Sequence, residues 1–175
     1  TRGLESELPQ ALRPEKFEDY MEDIELLVQR YHQPSSDAFR KTVMAPTTAL
    51  HSTTAQQLRE SAKIARQLGI RMHSHLSETV DYLDAARAKF GMTPVQFCAE
   101  QDWVGSDVWF AHLVKLLPEE IQLLGQTQTG IAHCPQSNAR LGSGIADLVS
   151  LEQADMTISI GVDGAGSNEA ADMLS

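Results

Sequence analysis

No run of apolar residues in this chain is long enough to span a bilayer, and no basic stretch followed by an apolar one stands near its start. Membrane insertion and secretion therefore have no support in the sequence. Cysteine is scarce: Cys98 and Cys134 are the only two among 175 residues, far apart and in no C-x-x-C arrangement. No disulfide framework follows, and a reducing cytoplasm is the expected setting. Positive charge is short as well, with 14 Lys and Arg against 24 Asp and Glu, a formal net charge of −10. That argues against a nucleic-acid backbone or an anionic membrane surface as the partner and leaves a small neutral or cationic ligand. The glycines form no phosphate fingerprint, neither G-x-G-x-x-G nor G-x-x-x-x-G-K. A nucleotide-binding doubly wound sheet is the weaker expectation for that reason. Tandem repeats and low-complexity segments are also missing.

What is present alternates. Spacings of three and four predict a helix from Pro14 to Tyr31, with Pro14 at a favourable first-turn position. Short β-branched or apolar segments at 41–46, 70–75, 108–112, 130–133 and 157–163 read as strands. Helical patterns at 55–68, 80–90, 93–100, 118–124 and 146–154 separate them, with 47–54, 138–143 and 164–168 as loops and a further helix start at 169–174. Strand and helix in alternation mean a parallel α/β sheet with right-handed crossovers. Four of the six histidines (His73, His75, His112 and His133) and Asp163 fall at or near the C-terminal ends of these strands. Parallel α/β folds place their chemistry at those ends. A complete (β/α)8 barrel needs eight strands, and five are visible, so the fold class expected is the C-terminal part of such a barrel. The chain opens on Thr1 rather than methionine and stops at Ser175 in mid-pattern, which reads as a fragment.

The densest cluster is Arg71–Thr79, R-M-H-S-H-L-S-E-T. Residues two apart in a strand face the same side, so His73 and His75 point together, and Glu78 can return over the same pocket from a loop or first helical turn. Neutral imidazole and carboxylate suit zinc. A free glutamate beside a metal can carry protons. Competing readings remain for each residue: His75 as a core histidine, Glu78 as a helix N-terminal acid, Asp163 as a turn residue in Asp-Gly. His73, a layer deeper, reads as structural, His133 as packing, His51 as solvated, and Cys134 beside Pro135 as buried and inert.

Four motifs in order, His75-Leu76-Ser77-Glu78-Thr79, Ala111-His112, Ala132 to Asn138 (A-H-C-P-Q-S-N) and Gly161 to Asn168 (G-V-D-G-A-G-S-N), resemble the amidohydrolase superfamily. They are most similar to its cytosine/guanine deaminase and chlorohydrolase branch, and within it to the isoxanthopterin and 8-oxoguanine deaminases. The resemblance implies strands four to eight of that barrel, making 1–175 one partial barrel domain without its N-terminal strands and flanking β domain. It implies His75 and Asp163 as metal ligands, and Glu78, His112 and Asp163 as catalytic: Glu78 shuttling a proton to the ring, His112 holding the water or tetrahedral oxygen, Asp163 taking the water's proton. The cofactor implied is one divalent metal, zinc or alternatively iron. The activity implied is hydrolytic deamination of an aminated pterin or purine, with triazine dechlorination and non-catalytic heterocycle binding as alternatives. A homo-oligomer is compatible with it. Two positions bear on substrate. Thr47 follows Pro46 where nucleoside-deaminating relatives carry histidine, and Gln136 offers an amide to the edge of a lactam ring or else to its own loop. The H-x-H pair that the family uses after its first strand has no counterpart upstream in this chain, and two ligands alone hold a metal weakly.

Overall fold

The structure, a computed structural model, describes residues 16–168 and Asp172. Five parallel strands form one sheet in sequential order: β1 (Val43–Met44), β2 (Arg71–Leu76), β3 (Val108–His112), β4 (Gly130–His133) and β5 (Ile158–Ile160). Between and before them run α1 (Phe17–Tyr31), α2 (Ala55–Gln67), α3 (Val80–Phe90), α4 (Pro94–Glu100), α5 (Pro118–Gln126), α6 (Pro135–Leu141) and α7 (Leu148–Gln153). Consecutive parallel neighbours joined by helical crossovers are the arrangement of successive units in a (β/α)8 barrel. Among the described residues no helix is long and apolar enough to cross a membrane.

Each element has a local cause. Thr54 and Thr93 form capping boxes with Gln57 and Gln96, which start α2 and α4. Gly91 at φ 71° ends α3 in the left-handed conformation that glycine adopts without a Cβ penalty. Strand β2 alternates: Met72, Ser74 and Leu76 are buried, whereas His73 and His75 on the opposite face are partly open. The buried face meets the helices in a core that includes Met44, Leu58, Phe97, Trp103, Phe110, Leu124 and Leu151. Polar groups inside that core are paired. Trp103 Nε1 donates to the Leu58 carbonyl at 2.7 Å. Glu120, 1% exposed, accepts from the Val95 and Leu117 amides at 3.2 and 2.9 Å, tying the start of α4 to the start of α5.

The differences from the sequence reading lie at boundaries and in one element. Strands β1 and β5 are shorter than 41–46 and 157–163, because Pro46 cannot continue the ladder and β5 gives way to non-ladder backbone at Gly161. The segment 138–143 is not all loop, since α6 runs from Pro135 to Leu141. Pro135 at the first helical position and Gly142 at φ 74° after the last turn carry that helix. The loop expected at 1–12 and the opening at Pro14 lie outside the described residues, as does the helix start at 169–174 apart from Asp172.

Candidate active site

The register brings the strand ends into line. His75 pairs with Ala111, Leu76 with His112, Ala111 with Ala132, and His133 with Ile160. Beyond these ends the backbone turns sharply: Ser77, His112 and Asp163 have φ of 50°, 75° and 61°. Left-handed conformations outside glycine cost about 1–3 kcal/mol each and cluster at functional sites. They let His112 leave strand alternation and bring its ring to the same face as His75.

Four side chains then meet. The His75 and His112 rings lie 5.3 Å apart at 28°. His112 Nε2 is 3.7 Å from Glu78 Oε2 and 4.0 Å from Asp163 Oδ2. His112 itself is buried, whereas the two carboxylates are about a quarter exposed, at 23% and 25%. Burial opposes ionisation of Asp163, but hydrogen bonds from Ser137 and the Gly164 amide, together with the nearby His112 and His75, outweigh it and lower its pKa.

His75 is fixed on three sides. Its amide donates to the Thr47 carbonyl at 3.3 Å, and Tyr82 Oη donates to its own carbonyl at 3.2 Å. Its Nδ1 lies 2.5 Å from the same Thr47 carbonyl. A carbonyl can only accept, so Nδ1 carries the proton and Nε2 keeps its lone pair. The Asp163 carboxylate is the second donor of a kind that suits zinc. Among the described residues no group of three or more His, Cys, Asp or Glu side chains is arranged to hold a metal ion.

The remaining sequence candidates fall as follows. His73 stacks on Trp109, centroids 4.9 Å apart, and donates to the Trp109 carbonyl at 3.2 Å, a structural placement. His51 is not simply solvated: it is half-buried with its ring edge-on to Tyr82 at 5.0 Å, and burial lowers its pKa. His133 is 2% exposed with neither ring nitrogen hydrogen-bonded among the described residues. Burial, reinforced by the charges of Asp163 and Glu78, pushes the Cys134 thiol up to about 11, which favours the thiol over the thiolate. Gln136 lies in the first turn of α6. Thr47 is exposed, and its carbonyl orients His75.

Three contributors escaped the sequence reading, all from one segment. Ser137 donates to Asp163 Oδ2 at 2.6 Å, the Asn138 amide meets His112 Nδ1 at 3.0 Å, and Ser143 donates to Glu78 Oε1 at 3.2 Å. The Pro135–Gly142 helix signal was the available clue, since it would have placed Ser137 and Asn138 on a rigid element and Ser143 just past its end.

A parallel βα-barrel sheet with imidazoles and carboxylates gathered at the strand ends is the frame of a barrel hydrolase. The chain belongs to the amidohydrolase family, whose family model matches residues 4–175. It is 60% identical over its full length to an isoxanthopterin deaminase from an unknown prokaryotic organism, covering 36% of that protein. An 8-oxoguanine deaminase from Pseudomonas aeruginosa is 40% identical over 95% of the chain and 37% of its own length. Among solved structures, an amidohydrolase from a Sargasso Sea environmental sample superposes with a TM-score of 0.86 at 54% identity, over all of this chain and 37% of that one. An atrazine chlorohydrolase from Arthrobacter aurescens TC1 complexed with zinc gives 0.85 at 25% identity, over 93% and 35%. The chain thus spans about a third of the length of these relatives.

Proposed function

We propose that the protein containing this chain is a metal-dependent aminohydrolase that converts an aminated pterin or purine, such as isoxanthopterin or 8-oxoguanine, to the corresponding oxo compound with release of ammonia. The convergence of Glu78 and Asp163 on the Nε2 edge of buried His112 carries this reading. Support comes also from relatives named for those two substrates. His75 and Asp163 would hold the metal, completed by donors outside this chain. A divalent metal there brings a bound water's pKa near neutrality and so supplies hydroxide at neutral pH.

The chain's own groups account for the proton traffic. Asp163, its carboxyl held ionised, accepts the water's proton. Glu78 delivers a proton to the ring nitrogen, which makes the amino carbon electrophilic. As the new C–O bond forms, His112 hydrogen-bonds the oxygen. When the C–N bond breaks, the departing nitrogen takes the proton held by Asp163 and leaves as ammonia, and the proton of the new hydroxyl returns to Glu78, which restores both carboxyl groups. Two free, buried cysteines suit a reducing cytoplasm.

Ring recognition is assigned to Gln136, with Thr47 as the second residue that bears on substrate. The test is ammonia release from pterins, purines and triazines by the intact, zinc-loaded protein, and by its Gln136→Leu variant. Preference for isoxanthopterin or 8-oxoguanine is expected, with Gln136→Leu hurting only compounds that carry the lactam edge, since a buried partner is then left unpaired. Preference for adenosine, or chloride release from a triazine, would overturn the substrate assignment.

A further inference from the structure

We infer that Asn138 fixes the tautomer of His112, so that this histidine acts as a hydrogen-bond donor at the reaction centre and not as a base; the inference rests on the function proposed above. A neutral imidazole has one N–H and one lone pair. On one edge of the His112 ring stand two carboxylates, 3.7 and 4.0 Å from Nε2, and negative charge there favours the N–H at that position. Nδ1 then keeps the lone pair and needs a donor. The Asn138 amide nitrogen lies 3.0 Å from it, in a site where both residues are 1% exposed or less.

The rest of Asn138 shows the same commitment. Its Oδ1 has no hydrogen-bond partner among the described residues. An unpaired buried acceptor costs about 1–3 kcal/mol, so an asparagine here is a poor packing residue, and its amide donor to His112 is what offsets that cost. The backbone is held on both sides: the Asn138 amide donates to the Cys134 carbonyl at 2.9 Å, and the Asn138 carbonyl accepts from the Ser143 amide at 2.9 Å. The donor is thus delivered by the first turns of α6, directly after β4, and has little freedom to leave the ring. Asn138 touches no reacting atom and is a positioning residue. Its consequence is a division of roles in which Asp163 accepts the proton and His112 only donates a hydrogen bond to oxygen.

The test compares the intact, metal-loaded protein with Asn138→Asp and Asn138→Leu. Aspartate is nearly isosteric but cannot donate, so Nδ1 can no longer be held as a lone pair and takes up a proton facing it. The ¹⁵N resonances of the His112 ring should show the proton on Nε2 alone in the parent and a protonated Nδ1 in Asn138→Asp. Turnover should fall about 10–100-fold in both variants, the usual scale for a group behind a reacting side chain, with KM unchanged. A parent ring protonated on Nδ1 overturns the assignment even if the variants do not fold, and so does full kcat in Asn138→Asp. A protein that deaminates none of the heterocycles but shows Nδ1 bare in the parent and protonated in Asn138→Asp refutes the proposed function and leaves Asn138 in place.

Discussion

The end of β2 and the turn leaving it carry His75 and Glu78, whereas the segment leaving β4 carries Ser137, Asn138 and Ser143. On the function proposed above, the first supplies groups that change protonation or bind a metal. The second supplies neutral hydroxyls and an amide, each with one hydrogen bond to a different functional side chain. Charge and aim are therefore built by separate stretches of chain, and the two can be perturbed separately. A neutral hydrogen bond contributes about 0.5–1.5 kcal/mol, against about 1.5–3 for one to a charged group. The orienting segment thus relies on several modest contacts, held by one short helix and the turn that ends it, rather than on one strong contact.

The largest effect should follow from Glu78→Gln, which removes proton delivery and leaves the metal donors untouched. Turnover should drop about 10²–10⁴-fold while metal content, read by elemental analysis of the purified protein, stays at the parent value. Loss of metal would move Glu78 from proton carrier to ligand and merge the two regions. Next comes Ser143→Ala, which frees one oxygen of Glu78. A fall of about tenfold in kcat, at the low end for outer hydrogen-bond partners, with unchanged metal content would separate aiming from chemistry. Equality with Glu78→Gln would break the distinction. The smallest effect on turnover belongs to Glu120→Ala, because Glu120 has two backbone amides as its partners and no functional side chain. Denaturant unfolding should show a loss of about 1–3 kcal/mol for each amide left unpaired, with kcat of the folded protein intact. A kcat defect there would mean that burial and pairing alone do not tell structural from orienting polar groups.

Much of this was legible in the sequence for a physical reason. Strands with β-branched or apolar runs ending in His or Asp announce both the ladder and the place where it opens to chemistry, so His75, His112 and Asp163 could be placed at one rim. Asp163 in fact stands three residues beyond β5, at a positive φ that no side-chain pattern reveals. Ser137, Asn138 and Ser143 stayed hidden because hydroxyls and amides in a polar segment look the same whether they face water or a catalytic side chain. Only the fold brings Ser143 within 3.2 Å of Glu78, which lies 65 positions away in sequence.

The grip on His75 comes from a main-chain carbonyl at position 47, present whatever residue occupies that place. The side chain at 47 is exposed and takes no part in that contact. Exchange of threonine for histidine, or for another residue that keeps the backbone path, leaves the aim of His75 intact. On the function proposed above, this position is one where substrate choice could change without loss of the orienting contact. In directed evolution, a saturation library at 47 is accordingly a safe first step, because its members share one anchored imidazole.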